Sequence, residues 1–150
     1  MSKNEKGKPT VYVPPEGPPQ RGPSRQIFGC MGKAAIFRMA EDFYAELERS
    51  EIRHLFPEDM VMAAHRNAAF LVGVLGGPPL YRELYGSPQM RARHLAIPID
   101  RAARDVWLGC FLKILEGAET RYGFPPEHLP GFRQWLAEFS LWMVNRDSDA

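Results

Sequence analysis

The chain has 150 residues, 45% of them hydrophobic and 25% charged, with a formal net charge of +1. That is the length of one domain with enough apolar side chains for a sizeable core. No apolar run approaches the roughly 18 residues of a membrane span, no N-terminal segment has the layout of a secretory signal, and the near-zero charge removes the simplest case for a nucleic-acid partner. These features predict a cytoplasmic protein with neither a membrane nor nucleic acid as partner. Cys30 and Cys110 are too few and too far apart for a disulfide framework or a Cys-x-x-Cys metal site.

The prolines divide the chain. Six of the 14 fall within the first 25 residues, beside Lys3, Lys6, Lys8, Arg21 and Arg25 against only Glu5 and Glu16, a local charge of +3. Val11, Tyr12 and Val13 are the only large apolar side chains there, too few to offset the entropy of ordering the segment. Residues 1–25 are therefore expected to form an extended or disordered, proline-rich basic tail with polyproline character. Residues 26–150 remain as one domain, with a net charge of −2.

Past the tail the apolar period is helical. Ile36, Met39, Ala40, Phe43 and Leu47 recur at steps of three and four, with Arg38, Glu41, Asp42 and Glu46 between them. The segment from Glu51 to Pro57 breaks the period. Glu58 and Asp59 then supply acidic groups for the start of a second helix, whose face carries Ala63, Asn67, Phe70, Leu71 and Val74 and which Gly76-Gly77-Pro78-Pro79 stops. A turn with Tyr81 and Tyr85 follows. Ser87-Pro88 offers an N-cap and first-turn proline for a short helix containing His94, which Pro98 prevents from running far. Asp100 can cap the next helix, with Ala103, Val106, Trp107, Cys110, Phe111 and Ile114 on one face and its end at Gly123 and Pro125-Pro126. A last helix spans about Gly131 to Asn145 and carries Phe132, Trp135, Leu136, Phe139, Trp142 and Met143. Nothing alternates with period two, so the fold class is all-α.

Several motifs then stand in a recognisable order: Phe43-Tyr44, Leu55-Phe56-Pro57-Glu58-Asp59, Gly76-Gly77-Pro78-Pro79-Leu80-Tyr81, Gly86-Ser87-Pro88-Gln89-Met90-Arg91-Ala92-Arg93-His94 and Trp107-Leu108. From about Gly32 to the last helix the chain resembles the truncated haemoglobins, small two-over-two helical globins, and Tyr44 and Trp107 resemble their second group. The resemblance implies haem b as cofactor, with His94 as the proximal ligand to iron through its imidazole nitrogen. It implies a distal pocket with the Tyr44 hydroxyl and the Trp107 indole N–H, Phe56 against the haem face, and Arg66, Arg93 and Tyr81 at positions that can meet the haem propionates.

The second long helix admits two registers. Anchored on Phe70 and the glycines, it puts Ala63 where many globins carry a distal histidine and Asn67 one turn deeper, facing ligand, with Phe70 against the cofactor. Counting from Phe56 shifts the pattern by one residue. His65 competes for a distal role, but in the first register it lies about 200° around the helix from Ala63. His54 and His128 fall in connections and are expected at the surface.

The functional expectation is a haem protein that binds dioxygen, carbon monoxide and nitric oxide. Oxygen carriage, nitric-oxide dioxygenation and peroxidase-like turnover all suit such a site. The last two need an external reductant, with a reductase among the candidate partners, because the chain has no flavin or nicotinamide motif of its own. An alternative is a haem-based gas sensor or adaptor whose proline-rich tail binds a protein partner.

Overall fold

Why the chain turns where it does is clearest at Gly76. Its φ of 106° lies in the region that favours glycine, and a Cβ there would stand 1.8 Å from the carbonyl oxygen of Arg25. Only a bare Cα lets the end of the second helix pass under the start of the first, where the Phe28 N–H donates to the Leu75 carbonyl at 2.9 Å. The computed structural model describes residues 11–147, and among them there are helices and turns but no strand.

Helix α1 (Ile27–Glu48) kinks at Gly32. Its predicted stripe is fully buried: Ile36, Met39, Ala40, Phe43 and Leu47 all have 0% exposure. Burial of each large member contributes about 1.5–3 kcal/mol. Helix α2 (Met60–Val74) begins at Asp59, whose carboxylate accepts from the Met62 N–H at 3.0 Å. It is two-sided. Ala64, Ala68, Leu71 and Val72 are buried in the packing against α1, while Ala63, Asn67 and Phe70 line a cavity. The predicted face of α2 thus divides: Ala63, Asn67 and Phe70 form the cavity wall, Leu71 and Val74 pack with the core, and the alanines behind permit close helix approach.

Helices α3 (Leu80–Tyr85) and α4 (Met90–His94) are short; α5 (Arg101–Leu115), α6 (Ala118–Tyr122) and α7 (Leu129–Trp142) complete the set. The α1–α2 pair faces the α5–α7 pair through α1 and α5, and Phe43 against Phe111, with ring centroids 4.2 Å apart, is the central contact between them. Asp100 caps α5 as expected, accepting from the Ala103 N–H at 2.8 Å.

Four local expectations change. The turn with Tyr81 and Tyr85 is the helix α3. Ser87 does not cap α4, which starts after Gln89 in the left-handed region at φ 35° without a side-chain cap; the Ser87 carbonyl instead accepts from Arg93. The helix after Asp100 stops at Leu115, because Gly117 takes φ 76° and starts α6. There Arg121 reaches back to the Ile114 carbonyl, and the Tyr122 hydroxyl donates to the Asp42 carboxylate at 2.5 Å. Finally, α7 ends at Trp142, and Met143, Val144 and Asn145 form a buried turn beyond it.

The N-terminal tail, expected to be extended or disordered, lies against the body wherever it is described. Residues 11–25 hold no long helix or strand, yet Pro14 and Pro23 are buried. The Tyr12 N–H donates to the Asn145 carbonyl at 3.3 Å, Arg101 contacts the Tyr12 hydroxyl at 3.2 Å and Glu16 at 3.3 Å, and Arg25 donates to the Gly73 carbonyl at 3.1 Å. Backbone hydrogen bonds and arginine contacts hold the segment, together with the burial of Pro14 and Pro23. The part of that expectation on residues 1–10 lies outside the described residues.

Candidate functional site

One cavity of about 350 Å³ opens between these helices, and its wall includes Tyr44 of α1, Phe56 of the following connection, Ala63, Arg66, Asn67 and Phe70 of α2, Tyr81 of α3, Arg93 and His94 of α4, and Trp107 of α5. The structure therefore brings these ten sequence-derived candidates to one place, without the competing His65. Its volume falls in the range of small-molecule and cofactor sites, and most of the wall is aliphatic or aromatic.

The aromatic walls are fixed from behind. Phe43, fully buried, meets Tyr44 and Trp107 edge to face, with centroids at 5.3 and 5.1 Å, and Tyr44 meets Phe56 edge to face at 5.7 Å. Such pairs contribute about 0.5–1.5 kcal/mol beyond their area and hold both rings in one orientation. Among the described residues neither the Tyr44 hydroxyl nor the Trp107 indole N–H has a hydrogen-bond partner. Burial pushes the Tyr44 phenol above its ordinary pKa, so at neutral pH it keeps its proton and remains a donor.

Asn67 is the polar exception on its helix face. Its Oδ1 is buried without any hydrogen-bond partner. A buried carbonyl left unmet costs about 1–3 kcal/mol, so a polar group on this wall is an acceptor with nothing yet to accept from. Ala63, one turn earlier, is small and leaves this part of the wall open. His65 is directed elsewhere: it packs on the Phe37 ring at 5.6 Å and contacts the Glu41 carboxylate at 3.2 Å. Ala63, Arg66, Asn67 and Phe70 are thus the α2 residues that face the cavity, and His65 is not among them.

His94 brings an imidazole to the cavity wall. Its Nδ1 lies 2.7 Å from the Met90 carbonyl oxygen, and a carbonyl only accepts, so Nδ1 carries the proton. The lone pair is thereby on Nε2, the tautomer an imidazole needs to ligate a metal. No group of three or more His, Cys, Asp or Glu among the described residues could hold a metal ion. A lone histidine in an apolar cavity suits a metal that brings its own donors, as a porphyrin-held iron does.

The cationic rim is uneven. Arg66 stacks over the Tyr85 ring at 5.4 Å and has no hydrogen-bond partner among the described residues. Arg93 lies over Tyr81 at 5.3 Å, but its guanidinium already donates to the Ser87 and Tyr85 carbonyls. The sequence reading missed Arg104, which reaches the cavity and donates to Ser140 Oγ at 3.0 Å and the Ala137 carbonyl at 2.7 Å. Four residues after Asp100 on a capped helix, it had no periodic signature apart from that of an ordinary surface arginine. His54 is exposed, and His128 is half-buried, 3.4 Å from Ser24 Oγ.

A family model described as bacterial-like globin matches residues 26–127. The group 2 truncated hemoglobin YjbI of Bacillus subtilis is 36% identical over 84 residues, 55% of this chain and 64% of that protein. The group 2 truncated hemoglobin 3-1 of Lotus japonicus is 33% identical over 86 residues, 55% of this chain and 51% of that protein. The matched segments thus span less than two thirds of these relatives. Among solved structures, phosphate-bound Hell's gate globin IV superposes with a TM-score of 0.79 at 35% identity, over 91% of this chain and 83% of that one. The truncated oxygen-avid haemoglobin of Bacillus subtilis superposes with a TM-score of 0.71 at 30% identity, over 79% of this chain and 98% of that one.

Proposed function

Since the chain belongs to the bacterial-like globins and is most like the group II truncated haemoglobins, we propose that it holds haem b in the cavity and binds diatomic gases there. Haem is the cofactor of this family, and when bound it supplies a redox-active iron with an open coordination position.

The observation that carries the assignment is the His94–Met90 hydrogen bond, which fixes the tautomer and leaves Nε2 free for iron. Phe56 and Phe70 offer apolar surface to the macrocycle, and Tyr81 stacks edge to face on Phe70 at 6.2 Å. Of the cavity arginines Arg66 is the best placed to meet a propionate, because Arg93 and Arg104 already donate to protein oxygens. On the ligand side, Tyr44 and Trp107 present one donor each and Asn67 an amide. Donors aimed at a dry site favour a ligand that gains negative charge, such as dioxygen, over a neutral one.

Reconstitution with haem tests this reading. A Soret band in the full chain that changes in position and intensity in His94→Ala supports it. No haem uptake, or the same spectrum in both proteins, overturns it.

Within the same reading, oxygen carriage, nitric-oxide dioxygenation and peroxidase-like reduction differ in electron supply. Dioxygenation and peroxide reduction both need electrons from an external reductant, for which a reductase is one candidate source. Steady-state consumption of nitric oxide, dioxygen and peroxide with a defined reductant separates the three.

A further inference from the structure

Helix α4, which carries His94, has only five residues and no side-chain cap, and it starts from a strained Gln89. A helix of that length does not persist alone, so what holds His94 in place has to come from other parts of the fold.

Two polar residues do this. Asn145, at 0% exposure, donates from Nδ2 to the carbonyl of His94 at 3.0 Å and of Ile97 at 2.9 Å, and its Oδ1 accepts from the Ile99 N–H at 3.0 Å. Its backbone N–H donates to the Ile99 carbonyl at 2.9 Å. The pattern fixes the amide orientation, since carbonyls need the Nδ2 hydrogens and an N–H needs Oδ1. Aspartate would lack the donors, and leucine would leave the Ile97 carbonyl and the Ile99 N–H unmet, while the His94 carbonyl would keep only its bond from the Ile97 N–H at 2.9 Å. Arg91, three residues before His94, donates to the Trp142 carbonyl at 2.5 Å, the Val144 carbonyl at 2.7 Å and, from its other nitrogen, the Tyr12 carbonyl at 2.8 Å. It also stacks on the Trp142 ring at 4.7 Å. Tyr12 closes the circuit by donating its N–H to the Asn145 carbonyl.

We propose that Asn145 and Arg91 are positioning residues for His94, and that through them the Tyr12 segment of the N-terminal arm is coupled to the iron ligand. The proposal rests on His94 as that ligand. Asn145 fixes where α4 ends and how the chain leaves it, and Arg91 ties the body of the helix to both termini. Outer groups that orient a metal-ligating histidine change metal affinity by about 10–100-fold when removed.

The test uses the full, haem-loaded chain. Asn145→Ala, Arg91→Lys and Tyr12→Pro, which removes the Tyr12 N–H and the hydroxyl that Arg101 contacts, are compared with the parent by two readouts. These are the iron–histidine stretching band of the ferrous, ligand-free protein and the rate of haem transfer to an acceptor globin. The expected result is a shifted or broadened band in all three, with haem transfer faster by roughly tenfold in Asn145→Ala and Tyr12→Pro the mildest. Arg91→Lys and Tyr12→Pro keep the test available if Asn145→Ala does not fold. A band and transfer rate equal to the parent in the folded variants overturns the coupling. If the band is absent from the parent and His94→Ala has the parent's spectrum, the assignment of His94 itself fails instead.

Discussion

Phe43 and Trp107 meet edge to face, their ring planes at 88° and their centroids 5.1 Å apart. Phe43 is fully buried and also abuts Tyr44 and Phe111, so one core ring sets the orientation of both donors in the cavity wall. The core and the candidate ligand site are the same packing problem seen from two sides.

Tyr44→Phe and Trp107→Phe each remove one donor and keep the ring that Phe43 holds or an aromatic close to it. A net hydrogen bond contributes about 1 kcal/mol, a factor of roughly five in an equilibrium constant. Oxygen dissociation from the haem-loaded variants is expected to be about fivefold faster for each substitution by stopped flow. Rates equal to the parent would remove both residues from the ligand site.

Asn67 carries an acceptor with no partner. Asn67→Leu is expected to raise the stability of the haem-free chain by about 1–3 kcal/mol, the cost of such an unmet group. In the haem-loaded protein the same change shifts the carbon monoxide stretching frequency. Urea midpoints and infrared spectra check the two halves separately, and an unchanged stretch would mean that the amide does not face ligand.

The Tyr122 phenol is pushed up to about 12 from its ordinary value of 10.0, by burial first and then by its bond to Asp42. The folded state therefore holds this proton more tightly than the unfolded chain does. Its contribution to stability is full below pH 10 and is lost between pH 10 and 12. Tyr122→Phe is expected to cost about 1 kcal/mol at neutral pH and to flatten the alkaline decline of the thermal midpoint. A decline as steep as in the parent contradicts the assignment.

Gly76→Ala places a Cβ against the Arg25 backbone, at 1.8 Å, in a conformation that disfavours side chains. Neither backbone can yield without opening the α1–α2 crossing. Equilibrium unfolding is expected to show a loss of about 4 kcal/mol or more, whereas Gly131→Ala, with open space around it, changes little.

The long elements and their caps were legible because they repeat. The stripe of α1, the acidic start of α2, the Asp100 cap and the glycine stop after α2 are local signals that tertiary packing did not override. The candidate site was legible through a resemblance carried by spaced motifs, and its residues all reach one cavity. Arg104, Arg91 and Asn145 carried no such signal, since an isolated arginine or asparagine looks the same whether it faces water or clamps a distant carbonyl.

The amino-acid sequence by itself determined an all-helical domain, the face each long helix turns inward, and a lone histidine on a helix too short to stand alone. Tertiary structure decided how that helix is held. It also decided that α5 breaks at Gly117, that Ser87 caps nothing, and that the basic, proline-rich arm lies against the body from residue 11 onward instead of remaining free. The reason is the range of the interactions. Periodicity and capping act within a few residues, whereas Arg91, Asn145 and Tyr12 join segments from opposite ends of the chain through backbone carbonyls and N–H groups, which every residue has and no composition reveals.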